Sequence, residues 1–243
     1  MELQSKLLRD LFKHDSFLLI ILDACRADIF EELGLHRFGD YKRVWSCGSH
    51  TIDFLENCFP EDYYDIVYVT ANPHINTKGI FFPVHKKFRR IIELWSIAWD
   101  KQIQTVHPNM VNIAVKSALT RYRKIVAHYI QPHAPYIGKT KLLRGNLWQT
   151  KQFVETGIPS VPDTMSDIDI DTLVKAYKDN LSYVFSYAYA LAQYAKKKGI
   201  ERVVITSDHG EILWEVKKPL IDRHPRGLAW KCLRIVPWLE IKS

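Results

Sequence analysis

The sequence predicts an α/β protein, a three-layer α/β/α sandwich around a central, mostly parallel sheet. Three observations carry this. Short apolar runs alternate with helix-patterned segments along the whole chain, as in successive βα units. Two of those runs, residues 17–22 and 203–206, are nearly continuous in Val, Ile and Leu, which is how strands covered on both faces read. Both are followed closely by a carboxylate, Asp23 and Asp208, beyond the strand ends where open α/β sheets bind their ligands.

The elements follow in order. MELQSKLLRDLFKHD has amphipathic spacing and predicts a helix over 2–14. The six apolar residues 17–22 predict the first strand; the run is too short for a bilayer span or a signal core. Helices over 27–33, 51–58, 87–98 and 109–122 alternate with strands over 41–45, 66–70 and 125–130. Residues 138–167, with Gly145, Gly157, Pro159 and Pro162, read as a long irregular insertion, a lid or binding loop. A helix over 168–198 is the strongest prediction. Asp169 and Asp171 open it, Leu173, Tyr177, Leu181, Val184, Ala188 and Leu191 make its apolar stripe, and Lys196–Lys198 with Gly199 close it. Strands over 202–206 and 234–241 complete the pattern. With no repeat or low-complexity tract, the chain reads as a single domain over 1–243.

Composition narrows the partners. Lys and Arg number 34 against 27 Asp and Glu, a surplus of 7 that suits phosphorylated or sulfated substrates. The cations are dispersed, so nucleic acid is not the expected partner. Cys25, Cys47, Cys58 and Cys232 show neither CxxC nor zinc-finger spacing, so reduced thiols and a cytoplasmic location are expected. Oligomeric state leaves no trace in the sequence.

The chemistry concentrates at strand ends. A lone carboxylate after a strand is often a helix cap. Here one buried run ends in Asp23 and another in Asp208-His209-Gly210-Glu211, and His-Pro and Pro-His pairs occur elsewhere. Carboxylates and imidazoles are the ligands that Zn, Mn and related divalent ions take.

At these residues the chain resembles the alkaline-phosphatase/sulfatase superfamily, and within it the small sulfatase-like proteins of archaea. The resemblance rests on Leu22-Asp23-Ala24-Cys25-Arg26-Ala27-Asp28, Ser46-Cys47-Gly48-Ser49-His50-Thr51, the stretch from His128 to His133 and Tyr136, Thr206-Ser207-Asp208-His209-Gly210-Glu211, and His224-Pro225-Arg226-Gly227. It implies an alkaline-phosphatase-like fold and a hydrolase or transferase of phosphate or sulfate esters, small-molecule or glycan. It also implies one or two divalent ions (Zn, Mn, Ca or Mg). Mapped residue by residue, Asp23, Thr51, Asp208 and His209 hold the first metal, and Thr51 is the nucleophile. His224 matches a second-metal ligand, and His133 a ligand or substrate contact. Arg26 and Arg226 are placed to meet a substrate anion, or else to pair with a carboxylate such as Asp28.

The nucleophile has alternatives in the same turn. Thr51 opens the helix over 51–58 and is the first choice, with a plain N-cap as its other reading; Ser49 is next, then Ser46. Departures from the family matter too. Ala24 stands where sulfatases carry a second Asp, and Cys58-Phe59-Pro60 lacks the Arg of the formylglycine motif, having Asp62 there. Phosphate esters are therefore expected over sulfate esters. No acidic second-metal ligand is evident, which leaves a single-metal site open, as well as a non-catalytic protein that binds anionic glycans. His14, His36, His50, His74, His85, His107 and His128 take ordinary structural roles, His128 as a buried core imidazole.

Overall fold

All six predicted strands form, within a residue or a few of their expected bounds. The computed structural model describes residues 1–160, 165, 167–216 and 223–242. In chain order the elements are β1 (Glu2–Leu3), α1 (Gln4–Leu11), β2 (Phe17–Leu22), α2 (Ala27–Glu32), β3 (Asp40–Trp45), α3 (Thr51–Cys58), β4 (Tyr63–Thr70) and β5 (Phe88–Glu93). Next come α4 (Leu94–Ile97), β6 (Trp99–Asp100), β7 (Thr105–Val106), α5 (Pro108–Ala118), β8 (Lys124–Tyr129) and α6 (Leu147–Thr156). The chain ends with α7 (Ile170–Lys197), β9 (Arg202–Thr206), α8 (Lys231–Arg234) and β10 (Ile235–Glu240).

Eight strands form one sheet in the order β1-β3-β10-β9-β2-β8-β4-β5. Only β10 runs against its neighbours; the other pairings are parallel. Strand β2 shows why the sheet needs cover on both sides. Leu18, Ile20 and Leu22 pack with residues of α2, α5 and α7, while Phe17, Leu19 and Ile21 pack with residues of α1 and α3. Alternate side chains point to opposite faces, so a strand buried on both must be apolar throughout.

Helix α7 matches its predicted bounds closely. Asp169 caps it by accepting from the Thr172 N–H at 2.8 Å, and Gly199 follows in the left-handed region at φ +73°.

Two expectations fail. Residues 87–98 are not one helix but β5 followed by the single turn α4. Ile91 packs into one core cluster and its neighbour Ile92 into the other, a period of two that only a strand satisfies. The insertion over 138–167 is not irregular throughout, since α6 occupies its middle; its residues 161–164 and 166 lie outside the described residues. Among the described residues no helix is long and apolar enough to cross a membrane.

Candidate active site

Four adjacent parallel strands each deliver a polar residue to one place beyond their carboxyl ends. Asp208 and His209 follow β9, Asp23 follows β2, His133 follows β8 and Asn72 follows β4. The parallel arrangement is the cause: strand ends far apart in sequence become neighbours at one edge of the sheet.

Asp23, Thr51, Asp208 and His209 come together as a buried group. Thr51 Oγ1 donates to Asp208 Oδ2 at 2.8 Å and lies 3.4 Å from His209 Nε2. His209 Nε2 stands 3.3 Å from Asp208 Oδ2 and 3.6 Å from Asp23 Oδ1. The turn after β2 is locked in place. Ala24 sits at φ +61°, its N–H donates to Asp208 Oδ1 at 3.1 Å, and the Tyr177 hydroxyl on α7 donates to its carbonyl at 2.7 Å. A left-handed non-glycine residue is costly and persists where its surroundings hold it, as they do here.

Thr51 is the first residue of α3, not its cap. His50 caps the helix, its Nδ1 accepting from the Ile52 N–H at 3.1 Å. The plain N-cap reading of Thr51 therefore does not hold, and its hydroxyl is turned to Asp208. The other two hydroxyls in the turn bind elsewhere. Ser49 donates to the Pro225 carbonyl at 2.7 Å and accepts from the Leu228 N–H at 3.1 Å; Ser46 donates to the Asp208 backbone carbonyl.

The cysteine expectation is overturned here as well. Cys47 and Cys58 form a disulfide that brackets Thr51 and α3, while Cys25 and Cys232 are free. The turn folds back on the helix, and Gly48 permits it: a Cβ there would meet the Phe54 nitrogen at 2.4 Å.

His133 and His224 face one another, Nε2 to Nε2, at 2.9 Å. Glu211, fully buried, joins them, and one ligand atom from each of the three lies within 4.8 Å of the others. It is a carboxylate that the sequence did not single out, because it follows the Asp-His-Gly run and reads there as part of the same loop. Arg223 Nε stands 3.2 Å from Glu211 Oε1. Gly210 lets this loop press against the chain before β10, since a Cβ would meet the Cys232 carbonyl oxygen at 2.0 Å.

Two further residues border the site: Asn72, which no sequence signal marked, and His128, which the sequence marked only as a core imidazole. Asn72 donates to Asp23 Oδ2 at 2.6 Å and holds the His74 backbone N–H through its own Oδ1 at 2.8 Å. His128, buried as expected, lies below the carboxylates with Nε2 3.3 Å from Asp23 Oδ2, and its Nδ1 meets the Tyr68 hydroxyl at 2.9 Å. Arg26 and Arg226, by contrast, are occupied as structural partners. Arg26 pairs with Asp28 and Glu215, and Arg226 with Asp53 and Glu56.

The donor set fits a divalent ion. Asp23 and Asp208 are both buried, and among the described residues only imidazoles ion-pair with them. Two carboxylates out of water need such compensation. The Asp23, His128 and Asp208 ligand atoms lie within 4.8 Å of one another. The imidazole tautomers fit too. His209 Nδ1–H donates to the Gly210 carbonyl at 2.7 Å and His133 Nδ1–H to the Ala134 carbonyl at 2.6 Å, which leaves Nε2 of each ring as the nitrogen turned to the site.

The charges respond to this crowding. Burial lifts the Asp23 carboxyl, but His128, His133 and His209 outweigh it and hold it well below the usual carboxylate range. Burial also opposes charge on His209, yet Asp208 and Asp23 raise its pKa above the ordinary imidazole value. His224 moves the other way: burial, with His209, His133 and His50 around it, pushes it well below that value.

No family model and no curated protein matches the chain. Solved structures match over nearly its full length. The soluble domain of lipooligosaccharide phosphoethanolamine transferase A from Neisseria meningitidis superposes with a TM-score of 0.61 at 15% identity, covering 93% of this chain and 76% of that one. The C-terminal periplasmic domain of EcEptC from Escherichia coli, in complex with Zn, gives 0.56 at 14% identity, covering 96% and 74%. A protein in the alkaline phosphatase superfamily from Vibrio parahaemolyticus gives 0.54 at 13% identity, covering 95% and 60%. The chain has the alkaline-phosphatase-like α/β fold.

Proposed function

We propose that this chain is a metal-dependent phosphoester transferase or hydrolase that works through a covalent Thr51 intermediate. The observation that carries the reading is the Thr51 hydroxyl, 2.8 Å from Asp208 Oδ2 at the first turn of α3. A hydroxyl is a weak nucleophile until something takes its proton, and a buried carboxylate in hydrogen-bond reach is placed to do so. Thr51 Oγ1 attacks phosphorus, the bond to the leaving oxygen breaks, and an alcohol or water later releases the phosphoryl group from Thr51. Backbone N–H groups at the start of α3 favour the anion that gathers there.

Asp23, Thr51, Asp208 and His209 would hold one divalent ion, and His133, Glu211 and His224 a second. Such ions lower the pKa of a bound hydroxyl and stabilise the negative charge of the in-line transition state. Phosphate is favoured over sulfate because no cysteine stands in a formylglycine context. The fold shared with a phosphoethanolamine transferase supports transfer to a lipid or glycan alcohol as much as hydrolysis. The Cys47–Cys58 disulfide supports an oxidising compartment and removes the ground for a cytoplasmic one.

The test is a panel of phosphomonoesters, phosphodiesters and sulfate esters, run on chelator-stripped protein with and without added Zn or Mn. Turnover of a phosphate ester that requires metal is expected. Metal-independent turnover, or turnover of sulfate esters alone, overturns the reading.

A further inference from the structure

A cavity of about 580 Å³ opens beside the ends of β3 and β10. That is within the range of roughly 300–1,000 Å³ of small-molecule sites. Arg26 forms part of its wall, buried yet bordered by ligand-sized space. Its Nε and Nη2 donate to Asp28 Oδ1 and Oδ2 at 3.0 and 2.7 Å, and Nη1 pairs with Glu215 Oε1 at 2.7 Å. Trp214 lies over the same guanidinium, 4.1 Å from ring centroid to Cζ. Trp214 and Trp230 both line the cavity and are each 45% exposed. None of these groups has a part in the chemistry proposed for Thr51.

The charges around this cavity cancel. Arg26, Arg43 and Lys231 line it against Asp28 and Glu215, and the third cation, Arg43, is balanced by its own pair with Glu31, which does not line the cavity. A ligand here meets accessible carboxylates that still have lone pairs, an ammonium, and two indoles. An apolar ligand would strip water from five charged groups without replacing its hydrogen bonds. A bare phosphate or sulfate would be set against Asp28 and Glu215. A sugar ring matches every feature. Its C–H face carries slight positive charge and suits the negative face of an indole. Its hydroxyls donate to carboxylates and accept from an ammonium.

We propose that this cavity is a saccharide-binding site, taking one or more pyranose rings of a neutral glycan. Arg26 Nη1 also donates to the Glu211 carbonyl at 2.9 Å, so the site borders the loop that carries Asp208 and His209. A glycan held here is anchored beside the candidate active site without entering it. The proposal concerns binding alone and does not depend on the reaction at Thr51.

The test uses the intact chain on a printed glycan array, followed by calorimetry with the free oligosaccharide of the strongest signal. Neutral glycans should be retained. Trp214→Ala and Trp230→Ala should each weaken binding at least about tenfold, with circular dichroism confirming the fold, and Trp214→Phe should recover most of it. Thr51→Ala should bind as the wild type does. The assignment is overturned if no glycan is retained, or if retained glycans ignore both tryptophan changes. It is equally overturned if binding disappears in Thr51→Ala, which would put the glycan in the other site, or if purine nucleosides displace it competitively.

Discussion

Thr51 and Asp208 lie 157 residues apart in sequence, and their side chains meet at 2.8 Å. Asn72 Nδ2 stands 3.5 Å from the same hydroxyl, so Thr51 is approached from two other elements. Thr51→Ala is expected to lower phosphoester turnover by on the order of a thousandfold or more, and Thr51→Ser to keep part of it. Intact-mass spectrometry should show a phosphoryl adduct on the wild type and none on Thr51→Ala. Ser49→Ala should cost far less, because Ser49 ties the Pro225–Leu228 backbone and does not reach Asp208 in the way Thr51 does. A reversal of these two effects would move the nucleophile to Ser49.

Metal should stabilise the fold, because an ion that binds only the native state shifts unfolding by mass action. At about a hundredfold excess over Kd the gain is about 2.7 kcal/mol, or roughly 5–10 °C for a chain of this size. The measurement is a thermal melt of stripped protein with and without Zn or Mn, with elemental analysis of the bound ion. Asp23→Asn and His209→Ala should each lose both the shift and the ion. An unchanged melting temperature in the wild type would count against the site.

Reduction should loosen the helix that presents Thr51. The Cys47–Cys58 bond closes a span of 11 residues with Thr51 inside it. Loop-closure arithmetic for so short a span gives about 2–3 kcal/mol. Denaturant unfolding of Cys47→Ser/Cys58→Ser should show that loss, and a thiol reductant should reproduce it in the wild type but not in the double variant.

The Asp28–Arg26 pair makes a pH-dependent contribution to stability. Burial raises the Asp28 carboxyl, but the Arg26 guanidinium outweighs it and holds it below the usual carboxylate range. A carboxyl that titrates lower when folded stabilises fully above its unfolded value and loses that stabilisation as pH falls through the folded one. Because Asp28 is partly open to solvent, about 1 kcal/mol is expected. Asp28→Asn should be less stable than the wild type by that amount at pH 7. The gap should shrink below roughly pH 4. A gap that stays constant from pH 7 to 3 would show that the carboxylate charge contributes nothing.

The sequence by itself determined the order of buried strands and what stands at their ends. A continuous apolar run of only six residues, such as 17–22, is too short for a buried helix and reads as a strand covered on both faces, so the residue after it emerges at the edge of the sheet. That is why Asp23, Asp208 and His209 were legible together. Their common neighbourhood, like the facing of His133 and His224, was legible only through family resemblance, since strand order leaves no mark on local pattern. The tertiary structure decided the rest. Residues 88–93 form a strand because β4 offers an edge to pair with, and their charged Arg89 and Arg90 hid the period of two. Cys47 and Cys58 meet because Gly48 lets one turn fold over α3, a contact that no spacing rule encodes. Glu211 and Asn72 enter the site, and Arg26 leaves it for the cavity beside β3 and β10, through side-chain pairings across elements far apart in sequence. Local sequence controls which residues are buried and where a strand stops; which of them then touch depends on how the sheet orders its strands and how loops close over their ends.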